Sequence, residues 1–394
     1  MKVGILTYHS EVNFGSVLQA YAVQESFKAL GCEVEIIDRW MDCRNRYAKG
    51  PLLDLNFKNL LKILIRSLYT TGEISRIFRY VKTCKFKQKY LKVSAYSFYD
   101  WKDAPRQLDY DVVSVGSDQV WNANLFDPND YLLAQLSSKI ARMSYAASIG
   151  MNAIPEALKP VYKNALSQYI GVSVRENSAV ALLSELGIAA EKVVDPTLVV
   201  DKAVWDKMID YKSEEMRGRT LVVYVLAERL DSILPLVEDF SKRNKCCASI
   251  FVDNWVGRRA RSLRGVASAL KFRFRLARNN INLCLSACPS DFVREIASST
   301  WVITNSFHAL MFSTIYRKDV RIIKPTDKVR LQMHSRMQEF EGSIIKGPLM
   351  QESVASAMTS IEEDGAIAYD DHLLSEKVMA TRRWLERTLR TVKS

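Results

Sequence analysis

Two Rossmann-like α/β domains facing each other across a cleft is the fold class that this sequence predicts. Three observations carry it. At 394 residues, with 48% hydrophobic and 25% charged side chains, the chain has the length and balance for two domains with cores of their own. Its first third opens strand, helix, strand. From residue 169 onward, short apolar runs and helical patterns alternate afresh.

In the first half, Val3–Thr7 reads as a strand and Ser16–Leu30 as a helix with Val17, Ala20, Tyr21 and Phe27 inward. Gly31 ends that helix, and a second strand follows at Glu33–Asp38. Further strands are predicted at Asp111–Val115 and Arg142–Ala147, and a helix at Ile154–Tyr169 closes the domain. In the second half, a strand at Gly171–Val174 leads to a helix at Glu176–Leu186 and a short strand at Val193–Val194. Asp195-Pro196 closes that strand. Strands at Leu221–Leu226 and Ser249–Val252 flank a helix near Asp231–Arg243. A helix at Asp291–Ser298, strands at Trp301–Thr304 and Val320–Ile323, and a helix at His372–Thr391 complete the chain. The expected domains are 1–168 and 169–370, with 371–394 as a helix returning to the first domain. Parallel sheets of this kind hold ligands at the carboxyl ends of their strands, so the cleft is the expected site.

Composition narrows the functional classes. No stretch of about 18 uncharged apolar residues is present, so nothing in the sequence reads as a membrane span. The start, MKVGILTYHS, is too short in its apolar run for a signal peptide and lacks a small-residue cleavage site. A cytoplasmic protein is therefore expected. Seven scattered cysteines without a C-x-x-C pair read as reduced thiols, and the four histidines are too dispersed to suggest a metal; none is expected. The net charge of +12 is concentrated in two segments. Residues 57–92 carry ten Lys/Arg against Glu73 alone, and residues 256–280 carry eight against no acid, on a body that is otherwise mildly acidic. In the first segment Phe57, Leu60, Leu61, Leu64 and Leu68 share a helical face opposite Lys58, Lys62 and Arg66. A second helix follows with Ile74, Ile77, Phe78 and Val81 inward and Arg76, Arg79 and Lys82 outward. These helices read equally as a peripheral anchor on an anionic membrane surface or as a pair with a solvated basic face. The alternation Leu270-Lys271-Phe272-Arg273-Phe274-Arg275-Leu276 reads as an edge strand or a mobile loop. No nucleic-acid module accompanies either segment, and no nucleic-acid partner is expected.

Four short segments carry the candidate chemistry. In Trp301–Ser313, an apolar β-branched strand ends at Asn305 and Ser306, both good caps, and a helix begins with His308 in its first turn. Free backbone N–H groups and the positive dipole end make such a junction an anion site, and His308 beside it is placed to exchange a proton. The competing reading is a packed histidine with Asn-Ser as a cap. After the first strand, Asn13 and Gly15 present polar backbone where α/β proteins hold ligands, or else cap the helix. After the third strand, Gly116 permits close approach, Ser117 sits at the strand end, and Asp118 either accepts a hydroxyl proton or caps the next turn. Trp121 is a stacking platform or a core residue. Arg175, ending the strand Gly171–Val174, grips a phosphate or carboxylate or pairs with Glu176 or a neighbouring acid. Lys328 and Arg336 lie close enough behind the His308 helix to add cations.

The stretches VNFGSVLQAYAVQESFKALG, VGSDQVWN, ARMSYAASIG, VSVREN, VVDPTLVV and TNSFHALMFS, in this order, resemble the polysaccharide pyruvyl transferase family. The resemblance runs over most of the chain and implies a fold similar to the two-domain glycosyltransferase-B type. It implies transfer of pyruvate from phosphoenolpyruvate onto two hydroxyls of a sugar, giving a cyclic ketal and inorganic phosphate without a cofactor. By the same resemblance His308 acts as acid/base or holds the donor, and Arg175 binds the donor's phosphate or carboxylate. Lys328 and Arg336 add donor contacts, while Asp118 and Asn13 face the acceptor from the first domain. Ala309 stands where many relatives have glycine. An acceptor carried on a polyprenyl diphosphate at the inner face of the plasma membrane gives the basic helices a purpose. The rivals are a nucleotide-sugar-dependent glycosyltransferase, for which no clear acidic ribose partner follows Arg175, and a non-enzymatic basic surface-binding protein. The membrane reading predicts that replacing Lys58, Lys62 and Arg66 with Glu abolishes cosedimentation with anionic vesicles; unchanged sedimentation removes it.

Overall fold

In a computed structural model of the chain, residues 1–40, 71–104, 108–125, 127–210, 218–252, 271–272, 274–325 and 337–393 are described. The expectations placed on residues 57–70 and 256–270, and on Lys328 and Arg336, lie outside them. The first sheet comprises β1 (Lys2–Leu6), β2 (Glu33–Arg39), β3 (Val93–Phe98), β4 (Val112–Val115), β5 (Ala141–Ala147), β6 (Gly171–Val174) and β7 (Glu191–Lys192). All its pairs are parallel, in the order β3-β2-β1-β4-β5-β6-β7. Val112-Val113-Ser114-Val115 is buried at every position, as a central parallel strand covered on both faces must be. The second sheet comprises β8 (Thr220–Tyr224), β9 (Cys247–Phe251), β10 (Ile281–Leu283), β11 (Trp301–Thr304) and β12 (Asp319–Ile323). A ribbon of β13 (Ile345–Lys346) with β15 (Ala368–Tyr369) flanks it, and β14 (Met350–Gln351) pairs with β12. The order β10-β9-β8-β11-β12-β14 is again parallel.

The boundary expected at 168/169 is corrected by this topology. Gly171 and Val172 register with Met143 and Ser144 of β5, and Ser173 and Val174 with Glu191 and Lys192, so β6 and β7 extend the first sheet. The helix Lys159–Leu166 carries the chain back to the open edge of β5, whose backbone groups need a partner. The described strands of the second sheet begin only at Thr220. Two smaller expectations also change. Lys271–Phe272 and the residues from Phe274 are helical rather than a strand or loop. Leu276 is buried, Phe272 packs on the same core one helical turn away, and Arg275 pairs with Glu238, so side-chain anchoring overrides the alternation. In the helix Thr71–Tyr90, Phe78 is 56% exposed and Phe86 is buried instead. Arg79 on that helix is turned to the second sheet, where it donates to the carbonyls of Val252, Cys284 and Leu285.

The two sheets share one core. The helix Phe14–Ala29, fed from β1, packs against the helices Pro196–Val199, Pro289–Ser298 and Phe307–Ile315. Phe14 stacks on Phe292 at 5.0 Å and meets Phe251 and Tyr224 edge-on or tilted at 5.8 and 6.1 Å, with the Arg79 guanidinium 5.3 Å from its ring. The closing helix Asp371–Lys393 returns to the first sheet. There Thr381 accepts from the Val194 N–H, Arg382 donates to the Val199 carbonyl, and Trp384 stacks near Tyr145. Among the described residues, no helix is long and apolar enough to cross a membrane.

Because Phe14 is 3% exposed within this aromatic cluster, Phe14→Ala is expected to cost about 3–5 kcal/mol. Phe274→Ala, at a site 72% exposed, is expected to stay within about 0.5 kcal/mol. Urea unfolding followed by tryptophan fluorescence separates the two, and equal midpoints would deny Phe14 its role as the joint.

Candidate active site at the two switch points

Each sheet reverses its strand order once, between β1 and β4 in the first and between β8 and β11 in the second. Crevices at such reversals are where open parallel sheets bind ligands. The segments that leave β1, β4 and β11 carry Asn13 and Gly15, Gly116 to Asp118, and Asn305 to His308. The packing of the Phe14 helix against the His308 helix brings the two reversals face to face.

Gly15 touches His308 directly. A Cβ on Gly15 would fall 2.6 Å from the imidazole Cγ and 2.8 Å from Cε1, and closer still to Nδ1. Only a residue without a side chain lets the first turn of one domain's helix abut the ring from the other. Asn13 is the cap of this helix, its side-chain oxygen accepting from the N–H groups of Gly15 and Ser16 at 2.9 and 3.3 Å. Two helix N-termini, one from each domain, thus converge beside the buried His308.

Asp118 faces the same point. Its carboxylate accepts from Ser16 Oγ at 2.9 Å and from the Gln119 N–H at 2.8 Å, and its backbone has φ 82°. A non-glycine residue in that left-handed region is held there by its surroundings. The Ser148 N–H bonds the Asp118 carbonyl at 2.9 Å. Gly116 lets β4 lie against Thr7, where a Cβ would come within 3.0 Å of the threonine Cβ. Thr7 Oγ1 in turn donates to the Ser117 carbonyl at 3.0 Å.

Behind these groups lies a buried charge relay. Asp195 accepts from Arg175 Nη1 at 2.7 Å, Ser117 Oγ at 3.1 Å, and the Thr197 N–H and Oγ1 at 2.9 and 2.7 Å. Arg175 also lies 3.9 Å from Asp118 and stands over the Phe307 ring at 4.9 Å, with its side chain 1% exposed. The arginine therefore takes the ion-pair role with a neighbouring acid. That acid is not Glu176, which accepts from Ser148 and from the N–H groups of Ile149 and Gly150. Burial alone would raise both carboxyls. Arg175 and then His308 outweigh it, lowering Asp118 below the ordinary carboxylate value and Asp195 to about 2.

Asn305 is structural: its side chain accepts from the Leu226 N–H at 2.7 Å and donates to the Leu226 carbonyl at 3.1 Å, closing the second reversal. The Ser306 N–H donates to Thr304 Oγ1. Trp121 is fully buried, with its indole N–H on the Tyr131 carbonyl, which makes it a core residue. Asp195, Ser16 and Phe307 were not singled out from the sequence. Aspartate followed by proline and threonine is a helix-start signature that would have marked Asp195 as a capping, inward-facing acid. Among the described residues, no group of three or more His, Cys, Asp or Glu side chains is placed to hold a metal ion.

The family model for polysaccharide pyruvyl transferase matches residues 13–325. The chain belongs to that family. Solved structures similar over the whole length include a UDP-N-acetylglucosamine 2-epimerase from Rickettsia bellii, 11% identical, with a TM-score of 0.51 over 100% of this chain and 96% of that one. Another is the UDP-GlcNAc 2-epimerase of Neisseria meningitidis bound to UDP-GlcNAc, 12% identical, with a TM-score of 0.50 over 99% and 100%. At such identities they establish the fold, which is the two-domain glycosyltransferase-B type. No curated protein matches the sequence at a significant level.

Asp195 is ordinary at 3.8 when unfolded and depressed to about 2 when folded, so its stabilisation is complete above about pH 4 and is lost as pH falls through 2. Wild type should therefore lose about 2–3 kcal/mol more than Asp195→Asn across that window, read by urea unfolding at each pH. Parallel pH profiles would remove the ion pair as the cause.

Proposed function

We propose that the protein transfers a pyruvyl group from phosphoenolpyruvate onto two hydroxyls of a sugar in a surface polysaccharide or its lipid-linked precursor. The observation that carries this reading is the meeting of Asp118 and His308, one from each domain, at the two strand-order reversals of a chain in this family.

The chemistry asks little more of the protein. As the first hydroxyl oxygen bonds to the carbon bearing the phosphate, its proton must leave and the methylene carbon must gain one. Asp118, kept ionised by Arg175 and His308, accepts the hydroxyl proton, and His308 delivers a proton to the methylene carbon. The C–O bond to phosphate then breaks and inorganic phosphate leaves with its electron pair, taking the proton held by Asp118, while the second hydroxyl closes the ketal and returns its proton to His308. Cations must face that departing charge. Arg175 is committed to Asp195, so it positions Asp118 and the His308 helix, while Lys328 and Arg336 serve the phosphate. Gly15 and Gly116 permit the close packing around Asp118 and His308, and Ser117 and Ser306 hold the strand ends that carry them. No metal or redox group is called for by this sequence of steps.

The nucleotide-sugar alternative is less favoured. The carboxyl ends of β8 and β9, beside the second reversal, are covered by Phe14 on Tyr224 and Phe251 and by Arg79 on the Val252 carbonyl. We extend the proposal to an acceptor on a polyprenyl diphosphate at the cytoplasmic membrane face, served by the basic segment 57–92.

Phosphate release from phosphoenolpyruvate, measured with a panel of free and lipid-linked sugars, should depend on the acceptor. His308→Ala and Asp118→Asn should each lower it about 100-fold or more. Release without an acceptor, or release untouched by both substitutions, overturns the assignment.

A further inference from the structure

The carboxyl edge of the first sheet carries a second set of groups outside the paired reversals. Trp40 follows β2 and Tyr99 follows β3, and the Trp40 N–H donates to the Phe98 carbonyl at 2.7 Å, so the two rings ride on adjacent strands. Their centroids lie 6.4 Å apart at an interplanar angle of 47°. Tyr99 is 58% exposed, unlike Trp121, which is fully enclosed. Trp40 is half-buried beside Tyr99, so the accessible aromatic surface is small, and the charged side chains of Asp100 and Lys102 border it.

Beneath the rings is a buried polar support. The Trp40 indole N–H donates to Asp38 Oδ2 at 3.0 Å, and Asp38 Oδ1 meets His9 Nε2 at 3.0 Å. The other nitrogen of His9 meets the Thr7 carbonyl at 3.0 Å. Lys87 donates to the Ser10 carbonyl at 2.7 Å, tying the long helix to the same loop. The indole is therefore fixed at its polar end, while Asp38 keeps part of its carboxylate at the surface.

This support is continuous with the reactive centre. Thr7, whose carbonyl holds His9, is bonded through its hydroxyl to Ser117, the residue before Asp118. Across the sheet edge the order is β3, β2, β1, β4, so the rings and Asp118 lie along one line. With strands about 4.8 Å apart, Tyr99 is roughly 10 Å from the end of β1 and roughly 15 Å from the end of β4. The exposed Tyr99 ring and the half-buried Trp40 ring beside a carboxylate match the apolar face and the hydroxyl rim of a pyranose.

We propose that Trp40 and Tyr99 form a stacking subsite for a sugar ring of an oligosaccharide, of which a unit two or three places along is presented to Asp118. The acceptor is then at least a trisaccharide. The word acceptor rests on the pyruvyl transfer reading; the sugar subsite does not.

The test is binding of the full-length protein to an array of neutral hexose and N-acetylhexosamine oligosaccharides of one to four units. Wild type should bind ligands of three or more units more tightly than shorter ones. Tyr99→Ala, a surface change that leaves the fold intact, should weaken binding about tenfold, Tyr99→Trp should restore it, and Phe274→Ala should leave it unchanged. Binding of no glycan, or equal binding by wild type and Tyr99→Ala, overturns the subsite. Ring-dependent binding without phosphate release from phosphoenolpyruvate would instead retire the transfer reading and keep the subsite.

Discussion

Everything in the centre of this molecule depends on how close two helix starts come. Phe14 and Gly15 divide the task. The ring anchors the first domain among Tyr224, Phe251 and Phe292, and the missing side chain next to it admits the His308 imidazole. Apolar burial supplies the attraction and the absent Cβ sets the distance. A bulkier residue at 15 would turn the same attraction into a wedge.

Two like charges of the first domain lie beside that contact, and the buried pair Arg175–Asp195 resolves the conflict. Asp118 and Asp195 are two carboxylates in one enclosed space, a situation that ordinarily drives one of them to protonate. Arg175 is bonded to Asp195 and within ion-pair range of Asp118, so both stay ionised. An arginine enclosed in this way contributes less to net stability than its contacts suggest, because desolvation offsets the attraction. Its value lies in fixing the charge state and the place of Asp118, while Phe307 beneath the guanidinium ties that arrangement to the His308 helix.

Much of this was legible in the sequence, for reasons that are local. The buried runs at Val112–Val115 and Trp301–Thr304 announce themselves by apolar, β-branched composition, and the residues following each strand can be named before any contact is known. Asp118 and His308 both stand at such strand ends. What could not be read is non-local. Gly171–Val174 has the same pattern whichever sheet it joins, and only its pairing with β5 decides. Arg175 has several acids within reach along the chain, and tertiary packing selects Asp195 over Glu176. Trp121 and Trp40 are equally plausible stacking residues as letters; enclosure separates one from the other.

The chain passes between the two sheets once on the way out, after Ile209, and again on the way back, before the helix Asp371–Lys393 seals itself onto β6 and β7. Two backbone connections and the shared core at Phe14 tie the halves together at separate places, so the relative positions of Asp118 and His308 are fixed from more than one side. A site built from two halves gains a constant geometry from such a mounting.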